Sequence, residues 1–207
     1  MVVQASKQYK TAIGVKYIVH DSVVNSLTEV PNAGRIEAAM PLLLERPENF
    51  PKPVSSDGGN SRRITKELRE LVIGDPILMA GPINNDLFHW EAIIQGPINT
   101  PYENGKFINR ILFTDLYPLK PPKCHMMTKI FHPNIHEYSG DICLTLLGHE
   151  WRTTLTVGDI LSGIYNLLQQ PNSEFESCLN LDAGLLLDTR IDEFNRIAKE
   201  YTVLHAI

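Results

Sequence analysis

Residues 131–147 read FHPNIHEYSGDICLTLL and place a single cysteine, Cys143, among His132, His136, Asn134 and Gly140. Such a thiol can be a nucleophile, a metal ligand or a small hydrophobe. Pro133 drives His132 out of the helical region, so His132 and His136 cannot share a helix face as the ligands of helical zinc sites do. With Cys143 and His149 added, the intervening gaps of three, six and five residues match no common zinc pattern. A Cys-His hydrolase needs an imidazole in reach of the sulfur and a third group to orient it, and none of the local cysteine-protease signatures surrounds Cys143. A core thiol fits Cys124, which sits mid-strand among apolar neighbours. It fits Cys143 less well, because Tyr138-Ser139-Gly140 marks a turn and the approach is polar. Residue chemistry alone leaves this choice open.

Upstream, three short apolar runs, ILMAGPI, FHWEAIIQG and KFINRILF, are separated by turn signals that include Gly96-Pro97 and Glu103-Asn104-Gly105. Pro118, Pro121 and Pro122 break the third run from a fourth, KCHMMTKI. The pattern predicts an antiparallel meander of about four strands. Before it, Ile64, Leu68, Leu71 and Val72 recur at i, i+4, i+7 and i+8, which predicts an amphipathic helix capped by Ser61 and ended by Gly74-Asp75-Pro76. Arg62, Arg63, Lys66 and Arg69 lie off that stripe, either as a solvated face or as a landing site for an acidic partner. Downstream, LTVGDILSGIYNLLQQ has helical spacing despite two glycines, each costing about 1 kcal/mol relative to alanine. Two further helices follow, around 180–187 and 191–201. Helix, sheet, then helices make an α+β fold.

The segment ERPENFPKPVSSDGGNS reads as a linker, because its prolines and glycines favour extended and turn conformers. Residues 1–60 therefore form an N-terminal extension with no assigned fold, and 61–207 the core domain. The first twenty residues carry lysines and no acid, but lack the arginines of an organelle transit segment.

The chain has 207 residues, a formal charge of -5 and three cysteines without a CxxC pair. The acidic balance argues against nucleic acid as the main partner. An odd cysteine count suits a reducing compartment, cytoplasmic or nuclear. No apolar run approaches the roughly 20 residues needed to span a bilayer.

The quoted segment resembles the active-site region of the ubiquitin-conjugating enzymes, whose signature is a His-Pro-Asn triplet, a glycine, Ile-Cys-Leu and a downstream tryptophan. Here these are His132-Pro133-Asn134, Gly140, Ile142-Cys143-Leu144 and Trp151. RITKEL, FHWEAIIQGPINTPYENGKF, YPLKPPK and LTVGDILSGIYNLL extend the likeness from Arg63 to the C-terminus. The resemblance implies a first helix, a four-stranded antiparallel sheet, an active-site loop and helices behind.

It also implies a chemistry. An activating enzyme would pass ubiquitin, or a related modifier, to Cys143 as a thioester, and a lysine amine would then receive it, usually with a ligase holding the protein substrate. No cofactor is implied, since ATP is consumed upstream. Asn134 would steady both its turn and the developing oxyanion, His132 would brace the loop, and Ser177, with Glu176 adjacent, would guard the site. Arg62, Arg63, Lys66 and Arg69 would dock the activating enzyme and ligases, with Leu119, Thr153 and Thr154 on the ligase side.

Three departures from the family pattern stand out. The interval from Asn134 to Cys143 is one residue longer than in many members, and Arg152-Thr153-Thr154 replaces the frequent Ser-Pro-Ala. PNSEFESCLN is two residues longer than its usual counterpart, with Cys178 in place of a proline. A non-catalytic scaffold on the same fold is the competing reading; the cysteine at the active position argues against it.

Overall fold

The computed structural model describes residues 6–10, 16–20 and 59–206. The chain divides into two compact units, Met1–Val54 and Ser55–Ile207. In the first, β1 (Ser6–Lys10) pairs antiparallel with β2 (Lys16–His20). The sequence suggested no element here because each strand is five residues long, too short to establish a period. The expected linker lies outside the described residues, apart from its last three positions, Gly59, Asn60 and Ser61, which open a helix.

The second unit begins with α1 (Gly59–Glu70), followed by β3 (Ile77–Ile83), β4 (Asp86–Gln95), β5 (Lys106–Leu112) and β6 (Lys123–Met126). The four strands form one antiparallel sheet in sequence order, the meander that the turn signals predicted. Asn84 and Asn85 close the first hairpin in the left-handed region, φ 51° and 60°, where asparagine is tolerated and the strand twist is matched. After the segment that carries Cys143 come α2 (Val157–Gln169), α3 (Leu181–Thr189) and α4 (Ile191–His205).

Burial follows the two-residue strand period. Phe88, Trp90, Ala92 and Ile94 of β4, with Phe107 and Ile111 of β5, are buried and belong to one core with Val157, Ile160, Leu161, Ile164 and Leu168 of α2. Each such aliphatic or aromatic side chain contributes about 1.5–3 kcal/mol on burial. Thr156 starts α2 with a capping box: its hydroxyl accepts from the Asp159 amide at 3.3 Å, and the Asp159 carboxylate accepts from the Thr156 amide at 2.8 Å.

Two sequence expectations for α1 change. The helix starts two residues before Ser61, and it ends at Glu70, so Val72 leaves the stripe and is 81% exposed. More consequential is Glu67, a carboxylate buried at 5% exposure. It accepts from Tyr117 Oη, from Arg63 Nε at 2.5 Å and from the Val157 amide at 2.8 Å. Arg63 Nη2 also donates to Leu155 O at 2.8 Å. One carboxylate thus bolts α1 to the first residue of α2 and to the loop after β5. Burial, then the Glu67 hydrogen bond, pushes the Tyr117 phenol far above its ordinary range, so Tyr117 stays a donor at any working pH.

Among the described residues no helix is long and apolar enough to cross a membrane.

Removing Glu67 strands two buried donors, the Tyr117 hydroxyl and the Val157 amide, and unpairs the half-buried Arg63 guanidinium. Glu67→Ala should therefore lower unfolding free energy in urea by about 3 kcal/mol or more, whereas Val72→Asp, on the surface, should stay within about 0.5 kcal/mol of the parent.

Candidate active site

The segment from Phe131 to Cys143 is held at both ends by backbone. Buried Tyr102, in the β4–β5 connection, donates its hydroxyl to Phe131 O at 2.9 Å. Ile135 bridges Ile142, and the Cys143 amide donates to Asn134 O at 2.9 Å, so the chain leaves Asn134 and returns to it at the cysteine. Between these points residues 136–141 make a closed turn. The His136 amide donates to Asp141 O and the Gly140 amide to His136 O, both at 2.9 Å. Gly140 sits at φ 71°, and a Cβ there would fall 2.0 Å from Met126 O, so only glycine fits. The tip of the turn carries Tyr138 at 87% exposure.

His132 is fully buried. Its Nδ1 accepts from the Asn134 amide at 3.0 Å, which leaves Nε2 to carry the proton and donate to Leu167 O of α2 at 3.0 Å. Burial holds its pKa down at about 4, against the weaker raising effect of the Leu167 carbonyl. The imidazole is a neutral brace between loop and helix, with both nitrogens used.

Asn134 is also fully buried, and its carboxamide is spent. Nδ2 donates to Asn172 O at 2.7 Å and to Ser177 O at 2.9 Å, while Oδ1 accepts from the Asn172 amide at 2.8 Å. Two Pro-Asn pairs, 133–134 and 171–172, therefore meet at the centre of the site. The sequence reading gives Asn134 two tasks, its own turn and the oxyanion; its backbone closes the loop, while its side chain secures a segment 38 residues away. Asn172 was not singled out, and its only sequence signal was the shared dipeptide. In this arrangement neither Nδ2 hydrogen is free to face Cys143.

The segment Asn172–Ser177 is held by its own side chains as well. Asn172 Oδ1 accepts from the Glu174 amide at 2.8 Å, and Asn172 Nδ2 lies 3.4 Å from Ser177 Oγ. Phe175, at its apex, is 82% exposed between Glu174 and Glu176, which are exposed too. The Leu179 and Asn180 amides then donate to Pro133 O at 2.7 and 3.0 Å.

The three cysteines differ. Cys124 is in the core, and burial lifts its thiol to about 12. Cys178 is partly buried; its thiol donates to Asn180 O at 3.2 Å and fills the space beside Gly184, where a Cβ would come within 2.4 Å of the sulfur. Burial raises its pKa, so it is a poor nucleophile where it lies. Cys143 alone combines partial exposure with a loop built around it.

Among the expected docking residues, Arg62, Lys66 and Arg69 are exposed at i, i+4 and i+7 on α1. Arg63 is not part of that face; its guanidinium is turned into the Glu67 cluster. Leu119 is 75% exposed, and Thr153 and Thr154 are exposed. The two loops that carry them are joined where Trp151 Nε1 donates to Pro118 O at 2.8 Å.

A family model described as ubiquitin-conjugating enzyme matches residues 63–202. Among solved structures, the chain is similar to the E2 domain of a ubiquitin-conjugating enzyme from Toxoplasma gondii, with 34% identity and a TM-score of 0.65 over 70% of this chain and 99% of that one.

A proton taken up by His132 on unfolding sets a pH dependence. Its folded pKa of about 4 lies below the ordinary 6.5, so between these values the unfolded chain binds more protons and stability falls on acidification. At pH 5 the loss relative to pH 7 should be about 2 kcal/mol from this group. His132→Gln, though less stable throughout, should show a correspondingly flatter urea-denaturation profile from pH 7 to pH 5.

Proposed function

Since the chain belongs to the ubiquitin-conjugating enzyme family, we propose that it carries ubiquitin as a thioester on Cys143 and transfers it to a lysine amine. What supports this most directly is the contrast among thiols: Cys143 is partly exposed in a loop anchored by His132 and Asn134, while Cys124 is sealed in the core. The Cys143 thiolate attacks the carbonyl of the modifier's C-terminal thioester on the activating enzyme. A new C–S bond forms and the activating enzyme's thiolate leaves. This exchange is close to balanced in free energy, so it needs access and some thiolate but no dedicated base.

Aminolysis is harder. At pH 7 a lysine of reference pKa near 10.4 is neutral only about once in 2,500, a cost of roughly 4.6 kcal/mol. The amine must shed a proton as its nitrogen attacks and the Cys143 thiolate departs. Ser177, or Glu176 beside it, is the proposed proton-accepting or orienting group. Asn134 is the proposed oxyanion donor, an interaction worth about 3 kcal/mol in comparable sites. For that role Nδ2 must first release Ser177 O or Asn172 O, so the segment Asn172–Ser177 must shift when the thioester reacts. His132, neutral and with both nitrogens occupied, takes no part in proton transfer.

The exposed row Arg62, Lys66 and Arg69 is the proposed docking face for the activating enzyme. Leu119 with Thr153 and Thr154 is the proposed ligase surface. A relative of ubiquitin is the second reading, because family membership leaves the modifier open.

Incubation with activating enzyme, ATP and ubiquitin should give an adduct that thiols cleave. Cys143→Ser should give a thiol-resistant oxyester instead, and Cys178→Ser should still charge. The absence of any adduct with ubiquitin or its relatives would remove the reading. Arg62→Glu with Lys66→Glu and Arg69→Glu should slow charging about tenfold or more, an effect that shrinks in high salt.

A further inference from the structure

Between Pro133 and Thr189 the chain contains eight carboxylates and one fixed cation, Arg152. All of the carboxylates except Glu137 are exposed. The exposed basic row of α1 is the opposite case in the sequence, and within the acidic stretch the excess of carboxylates is clearest at Phe175, since exposed Lys129 lines the same depression as Glu137 and Tyr138. Within the acidic stretch, Tyr138 and Phe175 are the most exposed large apolar side chains among the described residues, at 87% and 82%. The loops that carry them both connect to Asn134. The 136–141 turn leaves from Ile135 next to it, and Asn172–Ser177 is bound to its carboxamide. Asn134 O in turn holds the Cys143 amide. Phe175 is flanked by Glu174 and Glu176; Tyr138 follows Glu137, whose carboxylate accepts from Tyr201 Oη at 3.0 Å.

From this arrangement, and resting on Cys143 as the charged residue, we infer that Tyr138 and Phe175, with the carboxylates around them, form an acceptor-docking surface that selects lysines within arginine- and lysine-rich segments. Aromatic faces attract ammonium and guanidinium groups that lie over them. A surface of one sign raises the local concentration of an oppositely charged segment and speeds its encounter. Both effects act on the residues flanking the acceptor lysine, so they favour delivery without requiring the reacting amine itself to stay charged.

The test compares single-turnover discharge of charged Cys143 to free lysine and to two peptides. Each peptide has one central lysine, flanked on both sides by arginines in one and by glutamates in the other. The arginine-flanked peptide should react about tenfold faster or more at low salt, and the gap should narrow at 0.5 M salt as charges are screened. The double variant Tyr138→Ala/Phe175→Ala alters only exposed side chains. It should charge normally and discharge normally to free lysine, yet lose most of the preference. Equal rates for the two peptides, or a preference unchanged in the double variant, would overturn the inference while leaving the proposed thioester chemistry intact. Failure of the parent chain to charge would overturn both.

Discussion

The carboxamide of Asn134 makes three hydrogen bonds to Asn172 and Ser177, and the architecture around Cys143 depends on them. Each neutral hydrogen bond contributes only about 1 kcal/mol net, but leaving a buried partner unpaired costs about 1–3 kcal/mol. The cluster therefore works chiefly as a constraint: the loop before the cysteine and the segment before α3 can be buried together only in the one register that pairs these groups. His132 adds a second tie, to Leu167 of α2, so the helix behind the site and the segment beside it are referred to the same two residues. The region is a junction of backbone carbonyls and amides, with the half-buried Cys143 thiol at its edge.

A second constraint stands at the other end of the domain. Glu67 collects donors from α1, from the loop after β5 and from the start of α2, and Arg63 completes the seam through Leu155 O. A buried carboxylate tolerates little displacement, since its desolvation is offset only while the donors stay in place. The Trp151–Pro118 bond lies next to this seam, joining the loops that carry Leu119 and Thr153. The basic row of α1 and those loops are thus mounted on one rigid frame.

Much of the fold was legible because it follows local periodicity. The alternation in FHWEAIIQG and the turn residues between strands specify a meander, and the i, i+4 spacing in VGDILSGIYNLL specifies a helix with one buried face. Val72 was misassigned because a helical pattern does not announce where the helix stops, and β1 and β2 were missed because short strands carry too little period. The site was readable as residues but not as partners. Asn134 and Cys143 stand out in the chain, whereas the Asn134–Asn172 pairing and the inward turn of Arg63 depend on contacts 38 and 92 residues apart. Nothing in a one-dimensional pattern encodes such long-range pairing. Composition did carry one signal, since the near absence of cations from Pro133 to Thr189 is visible before any fold is known.

Gly140 uncouples the turn before the cysteine from the residues that follow it. Its carbonyl is seized by the Met126 amide of β6 at 2.8 Å, and its α-carbon abuts Met126 O so closely that the register from Asp141 onward is locked to the sheet. Insertions or deletions upstream, among residues 136–139, are quarantined from the sulfur three positions later. A change of length at the turn tip therefore leaves the position of Cys143 to the sheet, a separation enforced by one missing methyl group.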